Sequence, residues 1–233
     1  MVGGGVGRVS LPIQMRQRRL FQHIQLLFKG GNAGTTTSYP DTSAWRIFET
    51  IFFLADLLFL PEALMLLNRI FKPNTRLLTV REIALARSIF GETIDYQKVR
   101  VDEHSFIGCR QFQFAYVGFH FVNSWGKLSD PHFIHEMVHV WQYQHLGSVY
   151  IPRALWAQRT MEGYNYGGVS ALQKALQQGK GLADFNYEQQ GDIVADYFCL
   201  KNGWRPRWCA ANRAYLPVFE NLVTPTFQLA NKK

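Results

Sequence analysis

The stretch SDPHFIHEMVHVWQYQHLG, residues 129–147, places the narrowest limits on how this chain can fold. Asp130 is a suitable N-cap, Pro131 suits a first helical turn and Gly147 suits the end of a helix. These signals predict a helix of about 16 residues, from Pro131 to Leu146. Apolar side chains surround its polar ones, among them Ile134, Met137, Val138 and Trp141. Such a helix is buried on most of its surface, so other segments of the chain must pack around it.

This helix carries an H-E-x-x-H motif, formed by His135, Glu136 and His139. Side chains four residues apart project from one face of a helix, so the two imidazoles can bind the same zinc ion. Glu136 is placed beside them to take a proton from a water and pass it to a leaving amine. The alternative is a polar helix face with two solvent-exposed histidines. Burial argues against it, because two histidines and a carboxylate inside a protein need partners, and a metal supplies them.

A catalytic zinc site needs a third protein ligand, and the sequence offers two candidates. His145 stands where the longer H-E-x-x-H-x-x-G-x-x-H pattern has its third histidine, but Gln142 replaces the glycine that turns the chain there. In a continuous helix, His145 lies about 9 Å further along and roughly 240° around from His139, out of reach of the ion. Glu188, in DFNYEQQGDIVADYFCLKNG, is the better candidate. Asp192, one turn later, can accept the other ring N–H of a ligating histidine.

The segment around Glu188 is predicted to be a second helix, capped by Asp184 or Asn186 and ended by Gly203. Its acidic residues could instead form a solvated face. Asp196 in particular is expected to lie on such a face and to take no part in the site. The choice depends on whether this helix packs against the H-E-x-x-H helix.

The fold class predicted from the pattern is α+β, mostly helical with a small sheet next to the H-E-x-x-H helix. From 97 to 125 the sequence alternates polar and apolar residues or is aromatic and β-branched, which predicts two or more strands. The strand region VGFHFVN could offer an edge to an extended peptide or be an ordinary core strand. Earlier in the chain, Thr79 and Glu82 form a capping box for a helix that stops at Gly91.

The most apolar stretch runs from 46 to 71, and Glu49, Asp56 and Glu62 interrupt it. A membrane-spanning helix needs about 20 nearly uncharged residues. We therefore predict two amphipathic helices, hinged at Pro61 and packed on the core. Insertion of this segment into a membrane is the alternative, because its apolar content is high for a helix on a water-facing surface.

The N-terminal segment is basic. The chain has a formal net charge of +8, and residues 1–40 contain five cations and no acid, namely Arg8, Arg16, Arg18, Arg19 and Lys29. Its Gly/Ser/Thr-rich flanks predict a flexible tail, with a short helix in MRQRRLFQHIQLLFKG. A basic arm could also contact nucleic acid or an anionic membrane, but the even charge of the remaining chain argues against a dedicated nucleic-acid binder. No secretory signal is predicted.

Three cysteines, Cys109, Cys199 and Cys209, are too few for a disulfide scaffold. The sequence leaves open whether Cys199 and Cys209 pair.

The E-x-x-x-D pattern downstream of H-E-x-x-H resembles the gluzincin arrangement of zinc peptidases. A wider resemblance lies in LLTVREIALARSIFGETIDYQKVRV, FIHEMVHVWQYQ, EGYNYGG and NYEQQGDIVADYF. Together these segments, between about residues 77 and 200, are similar to metallopeptidase domains that extend, or travel beside, type VI secretion spike (VgrG) and Rhs-type proteins of Gram-negative bacteria. The helix FIHEMVHVWQYQ is the most specific part of the likeness.

The resemblance implies a zincin-like metallopeptidase domain over 77–233, preceded by the apolar helical segment 45–76 and the basic tail 1–44. It implies that His135, His139 and Glu188 hold zinc and that Glu136 is the general base. It further implies a secreted antibacterial or host-directed effector that acts in the periplasm of a target cell. Its expected partners are a peptide or protein substrate, a secretion spike or adaptor and a cognate immunity protein. The chain departs from the pattern by lacking a spike domain.

The leading hypothesis is therefore a zinc-dependent metallopeptidase-like effector. A donor that stabilises the oxyanion could be Tyr164, Tyr166, His120 or Tyr187, and the sequence does not choose among them. One alternative is a non-enzymatic or membrane-acting protein in which zinc is structural and the apolar segment 46–71 carries the function. Another is a resident bacterial peptidase without a role in competition.

Overall fold

The computed structural model describes residues 12–28, 39–40, 42–72 and 74–228. Much of the predicted flexible tail therefore lies outside the described residues, including Arg8 and Lys29. Its central part, MRQRRLFQHIQLLF, belongs to a helix of 16 residues.

Within the described residues the chain forms nine α-helices and four short strands. The helices are α1 (Ile13–Phe28), α2 (Ser43–Leu57), α3 (Leu60–Phe71), α4 (Val80–Phe90), α5 (Asp130–Leu146), α6 (Tyr150–Ala157), α7 (Gly168–Gln177), α8 (Tyr187–Lys201) and α9 (Leu216–Gln228). The strands are β1 (Arg76–Leu77), β2 (Arg100–Asp102), β3 (Tyr116–Gly118) and β4 (Phe121–Asn123). A short π-helix at Phe106–Arg110 and three 3₁₀ turns complete the secondary structure.

The four strands form one mixed sheet in the order β1-β2-β4-β3. β2 and β4 are parallel, with Val101 opposite Val122, whereas β1 and β3 pair antiparallel with their neighbours. β3 is an edge strand and β4 is buried, so VGFHFVN supplies both an edge and an interior strand. The predicted α+β class, mostly helical with a small sheet, is confirmed.

The main core lies where α5 and α8 pack against each other and against α4 and α9. α5 begins one residue earlier than predicted, because Ser129 has the extended N-cap conformation and Asp130 is already helical. The Asp130 carboxylate instead pairs with Arg81, at 2.6 Å. The predicted capping box of Thr79 and Glu82 is present at the start of α4, with Gly91 as its C-cap.

The apolar segment forms two helices, as predicted, but the break precedes Pro61. Leu58 and Phe59 lie between α2 and α3, and Phe59 has a left-handed backbone with φ 55°. Pro61 lies in the first turn of α3, where the missing N–H costs no helical hydrogen bond. Among the described residues no single helix is long and apolar enough to cross a membrane, whereas α2 and α3 taken together, with a bend of 68° between them, have the length and composition of a membrane span.

The packing of α2 and α3 differs from the prediction. Phe53 is the one large apolar side chain of these helices that is buried, in a small cluster with Leu20 and Val149. Twelve large apolar side chains on or between the two helices are exposed, and we call this outward surface the inverted face. Its members are Ile47, Phe48, Ile51, Leu54, Leu58, Phe59, Leu60, Leu64, Leu66, Leu67, Ile70 and Phe71.

Candidate metal centre

Packing of α5 on α8 brings together the three residues that the sequence predicted as metal ligands. Nε2 of His135 lies 3.2 Å from Oε2 of Glu188, and Nε2 of His139 lies 3.4 Å from the same oxygen. The three candidate ligand atoms lie within 4.8 Å of one another, and all three residues are buried. Two imidazole nitrogens and one carboxylate oxygen are a donor set that suits zinc.

The other ring nitrogen of each histidine faces a hydrogen-bond acceptor. Nδ1 of His135 lies 2.8 Å from Oδ1 of Asp192, and Nδ1 of His139 lies 2.8 Å from Oε1 of Gln142. A neutral histidine that donates from Nδ1 carries its lone pair on Nε2. The two lone pairs therefore converge beside Glu188, which is the arrangement that a metal ion needs.

Three further side chains orient this cluster, and none of them was predicted for this role. The Gln142 amide donates to the Tyr187 carbonyl and to Gln190, at 3.2 and 3.0 Å, which turns its oxygen toward His139. Gln158 donates to Oε1 of Glu188 at 2.9 Å. The Trp208 indole N–H donates to Oδ2 of Asp192. Each ligand is thus held by a neighbour that leaves its metal-facing atom free.

Gly191 permits the close approach of α8 to His135. A Cβ atom at this position would lie 2.6 Å from Cε1 and 2.7 Å from Nδ1 of the His135 ring. Real Cβ contacts are essentially never this short. A glycine in a helix interior lowers helix propensity and signals a packing reason, and this was the available sequence signal for the position.

The electrostatics of the cluster favour a bound cation. Burial lowers the pKa of His135, but Asp192 and Glu188 outweigh it and raise that pKa well above its usual value. Burial raises the pKa of Glu188, but His139 and His135 lower it well below its usual range. With Glu136 included, three buried carboxylates face two imidazoles. With both imidazoles neutral, a divalent cation would offset two of these three negative charges.

Glu136 lies beside the cluster with one oxygen unpaired. Its Oε1 is 3.3 Å from Nε2 of His132, whereas the buried Oε2 has no hydrogen-bond partner among the described residues. A buried carboxylate oxygen without a partner is costly, so a functional ligand is its best explanation. A water in the adjoining cavity could donate to it.

The cavity has a volume of about 920 Å³ and opens onto the candidate ligands. Its walls include the edge strand β3, the ligand face of α5, part of α6, and the side chains of Tyr164, Arg205 and Arg207. An open space of this size on a three-ligand site is typical of catalytic rather than structural zinc.

The four candidate oxyanion donors have different surroundings in the structure. Tyr166 donates to Asp196 at 2.6 Å, and the Tyr187 hydroxyl accepts a hydrogen bond from Arg153. His120 lies against Met65. Tyr164 alone among the four lines the cavity, with its ring 5.9 Å from that of His135. Burial raises the pKa of Tyr164, so its hydroxyl remains a donor at neutral pH.

Two other residues lie apart from the ligand cluster. His145 stacks on Trp141 and bonds to its carbonyl at 2.9 Å, as the continuous helix required. The expectation that Asp196 lies on a solvated face is wrong: it is buried, and it accepts hydrogen bonds from Tyr166 and from the backbone N–H groups of Arg207 and Trp208. Asp196 thereby fixes the loop that carries Trp208.

The three cysteines, Cys109, Cys199 and Cys209, are free thiols.

The fold and the site together define a mostly helical α+β protein with a buried His-His-Glu cluster at the wall of an open cavity. The chain is 35% identical, over 164 residues, to the type VI secretion system spike protein VgrG2b of Pseudomonas aeruginosa strain PAO1. The match covers 64% of this chain but only 15% of that protein, so the chain spans a small part of its relative's length. No family model matches the sequence, and no solved structure matches the chain.

Proposed function

We propose that this protein is a zinc-dependent peptidase of a type VI secretion effector. The observation that carries the proposal is the convergence of Nε2 of His135, Nε2 of His139 and Oε2 of Glu188, with both Nδ1 atoms already held by acceptors. The unpaired Oε2 of Glu136 at the cavity supports a catalytic site over a structural one.

When bound, zinc would supply a Lewis acid that polarises the substrate carbonyl and makes water more acidic. Glu136 takes the proton of the attacking water through its unpaired oxygen and returns it to the leaving amine nitrogen. Tyr164 donates its hydroxyl proton in a hydrogen bond to the carbonyl oxygen as negative charge develops there. The free edge of β3 can pair with an extended peptide in the cavity.

The similarity to a secretion spike protein supports the delivery part of the proposal. A chain that resembles a small part of such a protein fits a cargo domain, attached to or carried beside a spike. Action in the periplasm of a target cell, and neutralisation by a cognate immunity protein, belong to the same proposal.

Metal content and a Glu136→Ala variant test the proposed chemistry. We expect about one zinc per chain in both proteins by elemental analysis, because Glu136 is not a ligand. Only the wild type should cleave a peptide library, or be toxic when exported to the periplasm. A Glu136→Ala protein with wild-type cleavage and toxicity would show that the peptidase mechanism is wrong.

A Glu188→Ala variant tests the third ligand. We expect its zinc affinity to fall at least about 10–100-fold, the loss caused by removing a residue that merely orients a ligand. Exposed Glu162 gives the matched control, since Glu162→Ala removes an equal charge outside the cluster. Equal zinc affinity of the two variants would point to another ligand. Loss of zinc with retained toxicity would favour the non-enzymatic alternative.

A further inference from the structure

α2 and α3 bury most of their charged side chains and expose most of their large apolar ones. Glu49 is buried and pairs with Arg153 at 2.6 Å, and buried Asp56 accepts the backbone N–H of Ser148 at 2.9 Å. Half-buried Glu62 pairs with Arg16. Two of the three acidic residues that interrupt this apolar segment are therefore buried, and the third pairs with α1.

The opposite side of the two helices carries the inverted face. Over Ser43–Phe71 the exposed charged side chain is Arg69, whereas the twelve large apolar residues defined above lie outward. A helix that faces water has the reverse arrangement, with its apolar side on the core. Because the inward charges have specific partners, the fold holds the helices in this orientation.

A large exposed apolar surface marks contact with a membrane or with another protein. Interfaces with separable protein partners are only about 56–58% non-polar and have polar rims. The inverted face offers almost no polar groups for such a partner, and its exposed charge is a cation, which suits an anionic lipid surface.

We propose that the inverted face binds the surface of a lipid bilayer. Neither helix is long enough to span a bilayer, and the 68° bend lets the pair lie in the interface with its apolar side chains among the acyl chains. The exposed apolar residues of α1, such as Phe21 and Phe28, would extend the contact. This inference goes beyond the proposed peptidase activity and does not depend on it.

Vesicle flotation with the full chain tests the inference. Glu136→Ala serves as the parent protein, so that any peptidase activity is absent from the measurement. We expect it to float with vesicles of phosphatidylethanolamine and phosphatidylglycerol. Adding Leu66→Glu and Ile70→Glu, at exposed positions one turn apart on α3, should weaken partitioning by about 100-fold, since two apolar side chains become charged.

Met161→Glu in the same parent is the matched control, because Met161 is fully exposed outside α2 and α3. It should float like the parent, and all three proteins should have the same circular dichroism spectrum and the same midpoint of thermal unfolding, which report an intact fold. Equal flotation of the Leu66→Glu/Ile70→Glu variant and the parent would overturn the inference. So would a parent that stays out of the vesicle fraction and forms dimers that the double substitution dissociates, because the face would then bind a second copy.

Discussion

Each histidine of the candidate metal centre is fixed from the side that faces away from Glu188. His135 uses a carboxylate, Asp192, and His139 uses an amide, Gln142. A carboxylate makes the donating ring a stronger ligand than an amide does, because it stabilises positive charge on the imidazole. The two histidines are therefore not equivalent, and the loss of Asp192 should be the more damaging one.

Substitution of Asp192 tests this difference. Asp192→Ala should weaken zinc binding about 10–100-fold, because it removes the acceptor that fixes the His135 tautomer. Asp192→Asn should cost less, since its amide oxygen can still accept the Nδ1 hydrogen bond. The measurement is competition with a chromogenic chelator.

Trp208 supplies the control, because it donates to the other oxygen of Asp192. Trp208→Phe removes that hydrogen bond and leaves the one to His135 intact. Asp192→Ala should lose more zinc affinity than Trp208→Phe, and a wild-type zinc affinity of Asp192→Ala would contradict an orienting role for Asp192.

The pairing of α5 with α8 depends on one residue without a side chain. At Gly191 the backbone of α8 lies against the edge of the His135 ring. Helix propensity favours alanine at this position, whereas the packing against His135 requires glycine. Alanine would favour the helix by about 1 kcal/mol at an ordinary interior position. Here its Cβ would displace the imidazole.

We therefore expect Gly191→Ala to lose most of its zinc affinity without any gain in the free energy of unfolding. Gly181→Ala is the control, because its backbone φ is −118° and a Cβ there meets nothing within 4 Å. Isothermal titration with zinc and urea denaturation measure both properties. A Gly191→Ala protein that is more stable than wild type and binds zinc normally would refute the close-approach argument.

Local signals were sufficient to predict the elements that carry the candidate metal centre. Pro131 and Gly147 bounded α5 within a residue, and the spacing of His135 and His139 followed from the helical repeat. Glu188 was predicted because zinc needs a third ligand. Asp192 was predicted as the residue that orients a histidine. Gln142 and Gln158 were not predicted for such a role, because they act through contacts that exist only once the helices are packed.

The apolar segment was harder to predict for a different reason. Its apolar content indicated helices, but hydrophobicity alone assigned the apolar side to the core. The true orientation is set by partners distant in sequence: Arg153 for Glu49, and Ser148 for Asp56. No periodicity within the segment reveals those partners.

In the whole molecule, buried and half-buried polar groups join the N-terminal helices to the helices that carry the candidate metal centre. Arg19 on α1 donates to the His145 carbonyl near the end of α5, and Asp56 on α2 binds the turn that follows. Arg153 on α6 links Glu49 to the Tyr187 hydroxyl at the start of α8. α1 and α2 are therefore linked by specific polar contacts to the helices that carry the candidate site.

The Glu49–Arg153 pair should accordingly contribute strongly to stability. Glu49→Gln would leave the Arg153 guanidinium buried without its counter-charge, and breaking a buried pair in this way costs about 3–5 kcal/mol. Glu92→Gln is the control, because it breaks an exposed pair with Arg87, worth no more than about 1 kcal/mol. Urea denaturation of both variants gives the difference. If Glu49→Gln were as stable as Glu92→Gln, the buried pair of Glu49 with Arg153 would not be what holds α2 against α6.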